Sequence, residues 1–553
     1  MSNIKIMALG GLGENGKNLT IVEVNKKIFI IDAGMRYPDI DMYGVDLVIP
    51  NIDYLIQNKD YIQGIFVSHG HDENVGAIPY LLKQLQTRVY ATHFTISIIE
   101  EMLIEHHLNI KDYKLFRINP QKVMTFGDVE VSFFNTTHSI PESIGISINT
   151  PDGSIVYCTD FNFNSISNSR FSTSFDKITD LGKKNVIALL SESVNAGVTN
   201  RITNDTLFEH HFESILVHNK KRIFVACYVS DLIRIQKIID LSVKNNKKVC
   251  VLSKKSERIF KVATNYNFLN IPEEYKLNIE EHDNLEQLEN VVFIIAGTRN
   301  EPYNLIVKLV KSSVFNLKYQ ESDKVVLICP PAPGIEKHAT DSINILSEYD
   351  VDFTILDRDV LRSHHASPED LKLLYNMLKP KYIIPVKGEY RQMYDQSLLA
   401  KSAGYSKERV LLLDNGEEVT FINGYLQDEI KTHTVGDIFI DGSCVGVVDS
   451  EVIKERTKLK EEGVIFIYCV IDMRLRNIVG DITIKTKGFT HSFTDEELSN
   501  IISGLASKIV LNSFKKKYWN LDDLKIAVAE ETQKLLFRFT KHRPIVVPVI
   551  LEI

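Results

Sequence analysis

The chain has no run of about 18 consecutive apolar residues, no Cys-x-x-Cys pair, no internal repeat, no low-complexity tract and no excess of positive charge. Each absence removes a class of function. Without a long apolar run no transmembrane helix and no membrane association are expected, and Met1 to Leu9 lacks the basic start and long apolar core of a secretory signal. The six cysteines (Cys158, Cys227, Cys250, Cys329, Cys444 and Cys469) are scattered, most of them within apolar runs, as expected of buried free thiols in a reducing cytoplasm. A formal net charge of −8 advertises no global field for nucleic acid, although phosphate contacts need only one basic face. Lys220-Lys221-Arg222, Lys254-Lys255 and Lys515-Lys516-Lys517 are the basic runs, and solvated surface accounts for each more simply than a nucleic-acid site does.

What is present is an ordinary globular composition, 44% hydrophobic and 25% charged, in 553 residues, enough for about three domains. The pattern predicts short strands over 4–9, 19–24 and 28–32, another from Ile65 to Ser68, a helix from Pro79 to Leu85, and strands over Val129 to Asn135, Ile144 to Thr150 and Ser154 to Cys158. From Asn204 the rhythm becomes a regular alternation of helix and buried strand, through Arg222 to Tyr228, Lys248 to Leu252, Val291 to Ala296 and Lys324 to Cys329, with helices starting at Asn204, Leu232 and Ser256. The first pattern resumes with a helix from Pro368 and a strand from Tyr382 to Val386, so the second domain is read as inserted in the first. The expected fold is α/β: a layered domain over 1–205 and 367–428, an inserted doubly wound domain over 206–366, a linker over 429–448, and a small α+β domain over 449–553.

Gly11-Leu12-Gly13-Glu14-Asn15-Gly16 matches Gly-x-Gly-x-x-Gly, with Asp32 near the spacing of a ribose-binding acid. A dinucleotide site needs a helix to begin at those glycines, but Leu19 to Val24 and Ile28 to Ile31 alternate as a hairpin, so that reading is rejected. His69-Gly70-His71-Asp72-Glu73-Asn74 is more informative. Two histidines one residue apart at the end of an apolar run can face one cation. His138 and Asp160 each follow a further strand, and three imidazoles with a carboxylate suit Zn²⁺ or Mn²⁺. Two-metal hydrolases of the metallo-β-lactamase kind read His-x-His-x-Asp-His. Here the last two positions are Glu73 and Asn74.

The whole chain resembles the ribonuclease J family, metallo-β-lactamase enzymes with an inserted β-CASP domain. The resemblance rests on Ala8-Leu9-Gly10-Gly11-Leu12-Gly13-Glu14, Ile31-Asp32-Ala33-Gly34, Asp46-Leu47-Val48-Ile49-Pro50, His138-Ser139-Ile140-Pro141 and Pro385-Val386-Lys387-Gly388-Glu389-Tyr390-Arg391. The His69 to Asn74 stretch is similar to that of the poorly active second paralogue of low-GC Gram-positive bacteria. The resemblance implies an αββα sandwich, and a first metal site of His69, His71, His138 and Asp160. It implies a degenerate second site at Glu73, Asn74 and Lys387, with Asp72 one residue out of register and able to assist. A protonated Lys cannot coordinate a metal and an Asn amide is a poor ligand, so one weakly held Mn²⁺ or Zn²⁺ is expected. Lys387 is read either as a fixed charge in place of the second cation or as a salt bridge holding an inert site together.

By the same resemblance Glu192 belongs to the acidic motif, and Leu361-Arg362-Ser363-His364-His365-Ala366-Ser367 grips RNA, with His365 as proton donor. Ser230 and Ser367 hold the 5′ phosphate. Ala366 stands where glycine is expected, and Asp231 where a neutral Asn is, and both work against phosphate. The implied function is metal-assisted hydrolysis of RNA, 5′→3′ exonucleolytic or endonucleolytic, in mRNA decay and rRNA maturation, with low activity. The rival expectation is a silent subunit supporting an active ribonuclease J paralogue as a hetero-oligomer, with a homodimer or an RNA degradosome as further assemblies. A small-molecule hydrolase on the same scaffold is disfavoured by the large inserted domain.

Overall fold

The computed structural model describes the chain apart from residues 1, 40, 164–170, 199–204, 253–256, 282–283, 315, 333, 357, 359, 443, 447, 491–492 and 517. Lys254-Lys255, Lys517 and the expected helix starts at Asn204 and Ser256 therefore lie outside the described residues. The chain forms two compact units, Met1–Tyr37 with Leu47–Ile438, and Pro38–Asp46 with Phe439–Ile553. No described helix is long and apolar enough to cross a membrane.

In the larger unit, alternating apolar strands build two facing sheets. One runs in the spatial order Tyr425–Thr432, Glu417–Ile422, Asn3–Gly10, Leu19–Val24, Lys27–Ile31, Ile62–Phe66, Arg88–Ala91 and Lys114–Arg117. The other runs Tyr382–Val386, Val186–Glu192, Gly153–Cys158, Ile144–Thr150, Val129–Asn135 and Met124–Phe126. Ile6, Val22, Phe29 and Phe66 from the first meet Phe133, Ile146, Tyr157 and Leu190 from the second in one core. On the far side of the second sheet, Ile178, Leu371, Leu374 and Tyr375 from helices pack on Val156, Leu189 and Ile383. The helix His93–Glu105 covers the first sheet at Arg88–Ala91 and Lys114–Arg117. The result is the expected αββα sandwich.

The strands Val186–Glu192 and Tyr382–Val386 are parallel neighbours, Glu192 beside Val386. Between them the chain leaves to form a parallel sheet ordered Lys248–Leu252, Val291–Gly297, Arg222–Tyr228, Lys324–Ile328 and Phe353–Ile355. Val291–Gly297 is buried at every position, as a strand covered on both faces must be. Arg222 is a buried exception. Its Nε and Nη2 reach Asp323 at 2.8 and 2.5 Å, Nη1 donates to the Leu285 carbonyl, and Nη2 also donates to that of Lys318.

The smaller unit pairs Val464–Asp472 with Asn477–Lys487 and Ile545–Glu552, and covers one face with the helices Asp495–Phe514 and Leu521–Thr540. Ile465, Ile467 and Cys469 meet Ile502, Val528 and Leu536 there. The stretch 429–448, read from sequence as a linker, differs in the structure. Tyr425–Thr432 is an edge strand, and Asp437–Asp441 is a further strand. A charged, exposed edge strand carries no apolar alternation, which is why it resembled a connector.

The buried Arg222–Asp323 pair gives a direct test of the inserted domain. Asp323→Ala leaves a guanidinium buried without its counter-charge and should cost about 3–5 kcal/mol, read by urea denaturation. A loss below about 1 kcal/mol, the level of a surface pair, would contradict it.

Candidate metal centre

The centre assembles at strand ends. His69 and His71 follow Ile62–Phe66, His138 follows Val129–Asn135, and Asp160, at φ 53°, follows Gly153–Cys158. Glu192 closes Val186–Glu192, and Lys387, at φ 50°, follows Tyr382–Val386. The last three strands are adjacent and parallel, so Asp160, Glu192 and Lys387 emerge side by side.

The proton positions on the three histidines follow from their outer partners. His138 Nδ1 lies 3.1 Å from the His364 carbonyl oxygen and His71 Nε2 lies 3.2 Å from that of Ser230. A carbonyl only accepts, so both of these nitrogens carry the proton. The Ser68 hydroxyl donates to Asp32 at 3.0 Å and therefore accepts from His69 Nδ1, also at 3.0 Å. The inner nitrogens, His69 Nε2, His71 Nδ1 and His138 Nε2, are then lone pairs. His71 Nδ1 sits 3.2 Å from each of the other two. Burial pushes His69 down to about 3 and His138 well below its ordinary value, so neither carries the extra proton that would relieve the contact. Asp160 is fully buried, and its Oδ1 has no hydrogen-bond partner. Three facing lone pairs beside an orphaned carboxylate oxygen fit a divalent cation of the Zn²⁺ or Mn²⁺ type, and the ligand atoms of the three histidines lie within 4.8 Å of one another. The outer hydrogen bonds that orient metal-binding histidines are already in place.

Lys387 is buried, its Nζ in contact with Asp160 Oδ2 and 3.5 Å from Glu73 Oε1. Burial alone would lower its pKa, but Asp160 and Glu73 outweigh it and hold the ammonium above its ordinary value. The converse holds for Glu73: burial raises it, the Lys387 charge opposes, and it rests at about 2. Burial raises Asp160 too, and the Lys387 charge outweighs it and holds the carboxyl well below its ordinary value.

His365 Nδ1 donates to Glu192 Oε2 at 2.7 Å and lies 3.3 Å from Asp160 Oδ1. Glu192 Oε1 accepts from the Phe161 and Ala366 amides, so the carboxylate is fixed on both sides. Burial disfavours the imidazolium, but the Glu192 and Asp160 charges prevail and raise His365 to about 9.

Other residues singled out in the sequence sit elsewhere. The Asn74 amide donates to Asp32 Oδ2 at 2.7 Å and to Ser68 Oγ at 3.2 Å, so it faces the support of His69. Asp72 accepts from the Tyr37 hydroxyl at 2.9 Å and belongs to none of the potential ligand groups among the described residues. Asp231 accepts from His364 Nε2 and the Arg234 amide, both at 3.0 Å. The Ser367 hydroxyl caps the helix Pro368–Leu378 through Asp370. Arg362 donates to Asn162 at 2.7 Å, and Ser363 accepts from the His365 amide. Leu361 is half-buried, Ala366 is buried, and the Ser230 side chain is exposed.

Sequence reasoning missed the second layer. Asp32, wholly buried, accepts from Ser68, Asn74 and Tyr157. Burial raises it to about 6 against those donors. The available signal was an acidic residue directly after the apolar run Ile28 to Ile31. The glycines of Gly11 to Gly16 lead into the strand Leu19–Val24, with no helix at them.

Three family models match the chain. They are the Ribonuclease J beta-CASP domain over residues 220–346, the Zn-dependent metallo-hydrolase RNA specificity domain over 358–411, and the Ribonuclease J C-terminal domain over 451–553. A protein named Ribonuclease J 2 from Staphylococcus epidermidis is 33% identical over 553 residues, covering 100% of this chain and 98% of that protein. The chain belongs to the ribonuclease J family. Ribonuclease J 2 of Staphylococcus aureus (strain NCTC 8325) shows the same identity and coverage, 33%, 100% and 98%. Among solved structures, a protein of unknown function from Enterococcus faecalis V583 aligns with a TM-score of 0.52 at 15% identity, covering 76% of this chain and 100% of that one, a likeness of fold alone. The beta-CASP match falls on the inserted parallel sheet, and the 358–411 match spans His364, His365 and Lys387.

In this ribonuclease J chain the Asn74–Asp32–Ser68 network makes a prediction. Asn74→Ala should weaken Zn²⁺ or Mn²⁺ affinity about 10- to 100-fold, the usual effect of losing an outer-layer partner, as read by calorimetric titration. Unchanged affinity would show that the network does not orient His69.

Proposed function

We propose that the chain is a cytoplasmic metal-dependent ribonuclease of low intrinsic activity, built on one cation site. The observation that carries this reading is the pairing of three facing imidazole lone pairs with an ammonium, Lys387, on the Asp160 and Glu73 side of the centre. His69, His71, His138 and Asp160 would hold Zn²⁺ or Mn²⁺. When bound, such an ion supplies Lewis-acid stabilisation of phosphoryl oxygen and an activated water.

The chain's own groups do the rest. Lys387 places a fixed positive charge where a two-metal enzyme of this fold would hold its second ion, and it neutralises Asp160 and Glu73 without coordinating. His365 is the proton donor to the leaving oxygen, oriented by Glu192 and kept protonated at neutral pH. A fixed ammonium cannot lower the pKa of a water as a metal does, so the rate falls below that of a two-metal site. Arg362, Ser363 and His364 carry the RNA backbone beside the centre. Asp231 is tied to His364 and lies where a 5′ phosphate would be read, which favours cleavage insensitive to the 5′ end. RNA turnover and rRNA maturation are the processes this activity serves.

A second reading has one observation behind it. Lys387 and Asp160 are in direct contact, an ion pair that offsets the buried carboxylate without a second cation. A subunit without chemistry would support an active ribonuclease J paralogue, as a hetero-oligomer, a homodimer or part of a degradosome, with the C-terminal unit as assembly surface.

Cleavage of a 5′-monophosphorylated RNA by the full chain, with Mn²⁺ titrated in, separates the two. The first reading predicts slow, Mn²⁺-dependent hydrolysis that disappears in His71→Ala/His138→Ala. Equal rates in wild type and double variant would reject it in favour of the supporting subunit.

A further inference from the structure

Two of the three histidines that face the cation site take their outer hydrogen bonds from the inserted region, not from the sandwich that carries them. His69 is held by Ser68 and Asp32 of the sandwich itself. His71 Nε2 donates instead to the Ser230 carbonyl at 3.2 Å, with the Ser139 hydroxyl farther off at 3.5 Å. His138 Nδ1 donates to the His364 carbonyl at 3.1 Å. Ser230 follows the strand Arg222–Tyr228, and His364 lies on the segment that leaves the inserted sheet after Phe353–Ile355.

These two carbonyls stand far apart in sequence, and the side chain of Asp231 ties them together. Its Oδ2 accepts from His364 Nε2 and its Oδ1 from the Arg234 amide, both at 3.0 Å. The amide contact caps the helix Leu232–Lys244. Arg234, its side chain 3% exposed, donates from Nη2 to the Arg362 carbonyl at 3.1 Å and from Nη1 to Asp205 at 2.7 Å. Its guanidinium lies over the Phe208 ring at 4.7 Å. The Ile233 amide donates to the Ser139 carbonyl at 3.3 Å, which joins the same helix end to the His138 loop.

We propose that Asp231 and His364 are positioning residues of the cation site, a strap that holds the Ser230 and His364 carbonyls on His71 and His138. The inserted region then sets the affinity of ligands that lie outside it. This inference rests on the cation reading above and deepens it. A ligand imidazole keeps its inner lone pair aimed only while its outer N–H is held, and losing such an outer partner typically costs 10- to 100-fold in metal affinity. Asp231 makes no hydrogen bond to the three histidines among the described residues, so its effect passes through the two carbonyls. Backbone carbonyls survive every side-chain substitution, and a change in affinity therefore reports their position. A carboxylate also favours a cation by charge alone, which a neutral variant of the same reach distinguishes.

Calorimetric titration of the full chain with Mn²⁺ tests this. Ser is as good a helix cap as Asp but is too short to reach His364, so Asp231→Ser should weaken Mn²⁺ binding about 10- to 100-fold with the cap intact. Asp231→Asn keeps a hydrogen bond to His364 without the charge and should stay nearer the wild type. His364→Ala should match Asp231→Ser, and combining the two should weaken binding no further, as expected of two ends of one contact. Should Asp231→Ser fail to fold, His364→Ala makes the same test without touching the cap. Wild-type affinity in Asp231→Ser or His364→Ala would overturn the strap alone, as would Asp231→Asn as weak as Asp231→Ser, which would assign the effect to charge. Absence of Mn²⁺ binding to the wild type would overturn the cation reading and the strap with it.

Discussion

The centre of the molecule depends on how one buried carboxylate is neutralised. Asp160 has no exposure to solvent, yet it stays ionised because Lys387 touches it and the protonated His365 lies beside it. Burying a carboxylate without such partners costs several kcal/mol or forces its protonation. Every neighbouring group is set by that requirement. Lys387 is held ionised, Glu73 is drawn into the same pair, and His365 is kept protonated between Glu192 and Asp160. Only the side facing the three histidines remains uncompensated, and there the lone pairs call for a cation.

The fold supplies this convergence through strand order. Gly153–Cys158, Val186–Glu192 and Tyr382–Val386 are adjacent and parallel, so their ends deliver Asp160, Glu192 and Lys387 together. The inserted domain leaves and re-enters between the last two of them. Its exit segment therefore lays His364 and His365 over the same ends, the first bonded to Asp231 and the second to Glu192. The insertion and the centre are consequences of one topology.

Much of this was legible in the sequence. His69, His71, His138 and Asp160 stand out because each polar residue follows an apolar run, and a strand end is where a sheet can present a ligand. The inserted parallel sheet followed from the change of rhythm after about residue 205, whereas the αββα sandwich was implied by the family resemblance. What stayed hidden is non-local. Asn74 occupies a position where a ligand would be expected, but only the fold shows its amide on Asp32 and Ser68. Asp72 looked available until Tyr37, from a distant loop, was seen on it. The edge strand Tyr425–Thr432 is too exposed and charged to announce itself.

The central claim is that Lys387 takes the place of a second metal while one cation binds among the histidines. Anomalous diffraction from crystals of the full chain grown with Mn²⁺ tests it most directly. The account predicts a single peak bounded by His69, His71, His138 and Asp160, with the Lys387 ammonium still against Asp160 and Glu73. A second peak at Glu73, with Lys387 displaced, or no peak among the histidines, would contradict it.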